Sequence, residues 1–205
     1  MAPRTRPWSY DWNMAKGWIA ATATGEAIGI AGVAFGYALA DRGLAPATFA
    51  ILLAGAWEGL CLGTAQSRVL SRYGIRPVRW IGITITLAVL GYAGALAGGP
   101  GGAEAESETA EISWVVAVGG AAALGAFMGV VMGAGQAWVA SGILNRKRWI
   151  LRSARGWALA MPAIFIGASL VQSDWSLMAV VLTGMGAGAC AGALLGMATA
   201  GATPD

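Results

Sequence analysis

The sequence predicts an all-α, polytopic membrane bundle of six transmembrane helices arranged as three repeated hairpins. Three observations lead there. The 205-residue chain is 57% hydrophobic and only 11% charged, where soluble domains carry about 25% charged residues. Its mean hydropathy is +0.64. Its apolar residues also fall into six long runs without period-2 alternation. A lipid core about 30 Å thick takes about 20 helical residues to cross. Only helices or closed barrels satisfy their backbone there, and runs this long are helices rather than barrel strands.

The predicted spans are 18–40, 47–70, 80–98, 114–144, 157–171 with some upstream residues, and 175–199. Residues 1–17 form an interfacial N-terminal segment and 18–202 the membrane domain. The first span ends in Ala38-Leu39-Ala40, which has the form of a signal-peptidase site. Its apolar stretch exceeds the roughly 7–15 residues of a signal core and Glu26 interrupts it, so a retained span is expected. Trp18, Trp80 and Trp157 open the odd helices, and Trp114 and Trp175 open two of the even ones. A headgroup-level tryptophan belt is the expected reading. Trp8 and Trp12, beside Arg4, Arg6 and Lys16, suit an N-terminal piece lying on the inner leaflet. The fourth span is longer than a bilayer needs. Pro162 is expected to kink the fifth. Residues 99–112, rich in Gly, Ala and Glu, read as a flexible outer loop.

Charge sets the orientation. Of the 13 Lys and Arg residues, only Arg42 falls outside the N-terminal segment, the second-to-third loop and the fourth-to-fifth loop. The positive-inside rule then places both termini in the cytoplasm, in an inner membrane. The cluster Arg146-Lys147-Arg148 serves topology first, with anionic lipid or an acidic partner as a second use.

A pattern recurs. Gly55-Ala56-Trp57-Glu58-Gly59, continuing through Gly63 to Gln66, matches Gly125-Ala126-Phe127-Met128-Gly129, continuing through Gly133 to Gln136. A weaker copy, Gly184, Gly188, Gly192 and Gly196, lacks the glutamine. Glycines four apart line one helix face and let another backbone approach. Tight packing among the second, fourth and sixth helices is therefore expected. Gln66 and Gln136 are expected to hydrogen-bond across helices, to each other among other choices. With Thr22 and Trp57 they form the candidate pore or interhelical polar set.

The run Gly59-x-x-x-Gly63-x-x-Gln66, then Val69-Leu70, several basic residues and Trp80-Ile81, resembles a motif of small bacterial multi-spanning membrane proteins of unknown function. The copy through Gln136 and Trp149 or Trp157 is similar, and the resemblance covers residues 50–200. It implies a fold and no activity. Ser67 and Arg68 follow Gln66 where such proteins frequently carry an aromatic, and Ala137-Trp138 keeps the aromatic one place later. The two intramembrane glutamates lie outside that motif.

Those glutamates are the main chemical signal. Glu26 is eight residues inside Trp18 and Glu58 ten residues before Arg68, or about 12 and 15 Å along the helix. Both therefore lie near mid-membrane on consecutive antiparallel helices. An acid at that depth costs about 2.5 kcal/mol or more and is functional by default. Two carboxylates in a low dielectric cannot both be charged without a cation. Such a pair shares one proton, shares a bound cation, or exchanges one for the other. A structural reading stands beside this one, in which Glu26 bonds to Thr22 or to a backbone carbonyl. Met128 stands where Glu58 would recur, so the site is asymmetric and belongs to the first hairpin.

The chain has no histidine and two cysteines, Cys61 and Cys190, each within an apolar run. No phosphate loop, metal spacing or nucleophile–base pair stands out, so no enzyme activity, metal or cofactor is expected. The expected partners are the lipid bilayer and either further copies of this chain or a larger membrane complex, with no nucleic acid. The leading expectation is a transport or permeation protein. The rival is an accessory subunit that packs through its glycine faces and tryptophan belts.

Overall fold

The computed structural model describes residues 12–98 and 113–202. The six expected helices are α1 (Trp12–Asp41), α2 (Ala47–Leu70), α3 (Pro77–Gly98), α4 (Trp114–Val139), α5 (Arg146–Ser169) and α6 (Leu177–Ala200), with a 3-10 turn at Ser71–Tyr73. The outer loop 99–112 and Trp8 lie outside the described residues. Five helices are long and apolar enough to cross a membrane, which makes this a multi-pass membrane protein. The remaining one, α5, is 24 residues long, but its first turns carry Arg146, Lys147, Arg148, Arg152 and Arg155. Pro162 is accommodated inside α5, which continues to Ser169.

Several boundaries move for local reasons. The first helix begins at Trp12, ahead of Trp18. The fourth stops at Val139 because the chain turns at Gly142, whose φ of 84° is left-handed and suits glycine. Asn145 then caps α5, its side chain accepting from the Arg148 amide at 3.0 Å. Ser176 caps α6 through the Ala179 amide at 3.2 Å.

Each helix packs against its neighbour in the chain, and α6 returns to α1, so the six close a ring. The α1–α6 contact is the most extensive and the α3–α4 contact the least. Every extensive pair joins an odd helix to an even one. The expected packing of the second, fourth and sixth helices on one another is thereby corrected. A methyl group on Gly59 would lie 2.6 Å from Ile85 Cα in α3. On Gly129 it would lie 2.6 Å from Ala154 Cα in α5, and on Gly192 2.7 Å from Ala23 Cα in α1. Gly55 and Gly63 seat α3 likewise, Gly125 and Gly133 seat α5, and Gly188 and Gly196 seat α1. Each glycine face thus receives the next odd helix, with the sixth receiving the first. An antiparallel neighbour can present a whole backbone stripe to such a groove, which is the close approach that glycine permits.

The tryptophan belt also needs correction. Trp18, Trp80 and Trp149 are 0%, 0% and 1% exposed, and Trp157 is buried as well. The first three gather at the end of the bundle that carries the basic residues, with Ala15, Leu70, Leu144 and Ala200 around them. Trp149 makes edge contacts to Trp18 and Trp80 at centroid separations of 5.8 and 5.6 Å. A buried indole needs one acceptor for its N–H. Each finds it on the glycine helix that seats its own helix: Trp80 donates to Gln66 Oε1 at 3.1 Å, Trp149 to Gln136 Oε1 at 3.2 Å and Trp18 to Thr199 Oγ1 at 2.8 Å. The two glutamines therefore serve indoles rather than each other. Gln136 also donates to Thr84 Oγ1 at 3.3 Å and so ties α3, α4 and α5 together. Gln136→Leu is expected to cost about 1–3 kcal/mol of unfolding free energy by stranding the Trp149 N–H. Denaturant unfolding in detergent checks this, with Trp149→Phe in the Gln136→Leu background recovering part of the loss.

Candidate functional site

Above this aromatic end, Leu62, Trp157, Ala160, Ala191 and Leu195 meet across the bundle. The glutamates lie just beyond that layer. Glu26 is 1% and Glu58 6% exposed. Their proximity follows from glycine. Gly29 lies one turn beyond Glu26 on α1, and a methyl group there would be 3.1 Å from Glu58 Cγ. The Glu58 side chain is thus laid against α1 beside Glu26, close enough to act on it electrostatically. From the other side, Gly192 and Gly188 of α6 press on Glu26, at its Cβ and its backbone carbonyl respectively.

The two acids have different surroundings. Tyr92 of α3 donates its hydroxyl to Glu58 Oε2. Both oxygens of Glu26 are buried with no hydrogen-bond partner, and so is the hydroxyl of Thr22 one turn below. The bond to Thr22 or to a carbonyl that the structural reading of Glu26 offered is not made. Alpha-helical threonines commonly donate to the carbonyl four residues back. Thr84 does so to Trp80 O at 2.8 Å and Thr199 to Leu195 O at 2.7 Å, but Thr22 does not. Burying such oxygens unpaired costs about 1–3 kcal/mol each. A proton, a cation or an internal water placed between Thr22 and Glu26 would supply what the protein does not.

The remaining candidates lie apart. Trp57 turns away, donating to Ile28 O at 3.1 Å, and is 45% exposed. It does not face the carboxylates as an aromatic wall. Gln66 and Gln136 belong to the aromatic end, with Gln66 about two turns, or about 12 Å, from Glu58. Cys61 lies on α2 within electrostatic reach of both acids. Cys61 and Cys190 are free thiols. Among the described residues no three His, Cys, Asp or Glu side chains converge as a metal centre requires.

Several participants were not singled out from the sequence. A spacing marks some of them: Trp18 and Thr22, Trp80 and Thr84, and Trp149 and Ser153 are each one helical turn apart. Thr199 stands as far beyond Gly188 as Gln66 stands beyond Gly55 and Gln136 beyond Gly125. Nothing in the sequence marks Tyr92, which reaches Glu58 only through the register that the α2 glycines impose on α3.

Fold and site together define a multi-pass membrane protein with a closed-off pair of acids between its first two helices. No family model, curated protein or solved structure matches this chain.

Proposed function

We propose that this is a small bacterial inner-membrane transport or permeation protein in which Glu26 and Glu58 bind a proton or a cation. One observation carries the reading: three buried oxygens, two of Glu26 and one of Thr22, have no protein partner beside a second carboxylate. Intramembrane acids of this kind mark ion pathways and proton relays. The six helices are read as three copies of one hairpin, with both termini cytoplasmic by charge bias and the working form an oligomer. The resemblance to small bacterial multi-spanning proteins supports the setting and no particular substrate.

A second reading has its own support. Neither acid reaches the surface, and glycine brings the α6 backbone directly onto Glu26. Packing this close also suits an accessory subunit in which the acids are neutral structural groups.

The test is cation and proton flux in proteoliposomes, comparing the natural chain with Glu26→Gln and Glu58→Gln at matched reconstitution. The expected result is flux from the natural chain that falls at least about tenfold in each folded variant, as for an acid on the ion pathway. Absence of flux over a broad cation panel and pH range transfers the assignment to the accessory reading.

A further inference from the structure

We infer that protons reach the carboxylate pair from the end of the bundle opposite the basic residues, by way of Tyr37 and Tyr92, while the tryptophan cluster closes the basic end. This rests on the proton-binding form of the reading above and adds its sidedness and two residues.

Polar groups form a graded descent from one side. Tyr37 of α1 is 45% exposed, Tyr92 half-buried, Glu58 nearly covered, and Glu26 and Thr22 fully covered. Tyr37 lies about three helical turns beyond Glu26, on the same face of α1. Its neighbour Gly36 packs against Ala50 and Ala54 of α2, and Ala54 lies one turn from Glu58 and clusters with Tyr92. The Tyr92 hydrogen bond to Glu58 supplies the inner step. A tyrosine can relay without changing its own charge. Tyr92 passes its O–H proton to Glu58 Oε2 and takes one from a hydronium ion at the rim, which is left as water. The net change is one proton moved from hydronium to carboxylate. Glu58 stands beside Glu26, whose open oxygens and the Thr22 hydroxyl continue the line inward.

The opposite approach is closely packed, and its buried polar side chains Gln66, Thr84, Gln136 and Thr199 are held in hydrogen bonds to indoles, to one another or to backbone. Between the pair and the basic end stand the Leu62, Trp157, Ala191 and Leu195 layer and then Trp18, Trp80 and Trp149, whose indole N–H groups are all occupied. Around the pair itself, α1 brings Thr22 and Tyr37, α2 brings Cys61, and α3 brings Tyr92. The α6 helix contributes the backbone at Gly188 and Gly192. From α5, Ile164 joins Ile30, Val33, Ala54 and Tyr92.

The test uses the full chain in vesicles of known orientation, with the pH of each compartment set separately. Dicyclohexylcarbodiimide, which enters from lipid and reacts with protonated carboxyl groups, is the probe. Labelling of Glu26 and Glu58 is read by mass spectrometry. Raising the compartment that faces Tyr37 from about pH 5 to about pH 9 is expected to lower labelling at least about tenfold, and the same change on the basic side less than about twofold. Tyr92→Phe is expected to slow the response to a pH jump at least about tenfold because it removes the relaying hydroxyl, a readout that its modest loss of stability does not move. Tyr37→Phe provides a second variant if Tyr92→Phe unfolds. Labelling that follows the basic compartment, follows both equally, or ignores both tyrosine substitutions overturns the proposal. If flux still depends on the two glutamates in that case, the proposed function survives without this entry route. Labelling indifferent to pH on either side overturns both.

Discussion

Gly129→Ala is expected to destabilise the bundle by about 1–3 kcal/mol, even though alanine is the better helix former by about 1 kcal/mol. The new methyl group would lie 2.6 Å from Ala154 Cα, with the Ser153 carbonyl closer still. Both obstacles are backbone, so no rotamer change relieves them. The α4 and α5 helices must separate, and separation forfeits dispersion contacts along the whole interface. Gly119 is the matched control. It lies on the same helix with nothing within 4 Å of an added methyl group, so Gly119→Ala is expected to be neutral or to stabilise by up to about 1 kcal/mol. Equilibrium unfolding of both variants in detergent decides the matter. Equal effects would mean that the glycine face does not set the helix separation.

The second large effect is a difference in sign between the two acids. Glu26→Met removes two buried oxygens that have no partner and replaces them with an apolar chain of similar length. It is expected to stabilise the protein by about 1–3 kcal/mol while abolishing proton or cation binding. Glu58→Met strands the Tyr92 hydroxyl that now donates to Oε2, and is expected to destabilise by about 1–3 kcal/mol. Adding Tyr92→Phe to Glu58→Met should recover much of that loss, because both partners are then apolar. Unfolding midpoints of the variants give the measurement. Destabilisation by Glu26→Met would show that the protein satisfies its carboxyl group after all, and would favour the structural reading of the pair.

The helices and the neighbouring acids were legible in the sequence because each rests on a one-dimensional signal. Apolar run length gives the spans. Residue rise from Trp18 and Arg68 gives equal depths for Glu26 and Glu58. Partner choice was not legible. The spacing of Gly55, Gly59 and Gly63 announces a groove but not its occupant, and only closure of the ring shows that α6 receives α1. Trp18 and Trp80 misled for a related reason, whereas Trp114 is exposed as a belt residue should be. A Trp at the start of an apolar run suits a headgroup belt, and only the acceptors Gln66, Gln136 and Thr199 make it tolerable indoors. The third acceptor was hidden by a change of chemistry, threonine in place of glutamine. Tyr92 carried no signal at all, since its role depends on a register between two helices rather than on any local pattern.

Ring closure between α1 and α6 has a consequence for biogenesis. A ribosome delivers α1 well before α6, its most extensive partner. Throughout synthesis of the intervening helices, the side of α1 that bears Thr22, Glu26 and Ile30 has no α6 to cover it. A half-built bundle therefore holds an acid against lipid or against the insertion machinery, at a cost of about 2.5 kcal/mol or more. Closure of the long loop between α1 and α6 also delays assembly, as non-local pairing does in general. The most deeply placed acid of the finished protein thus enters the membrane well before the helix that shelters it.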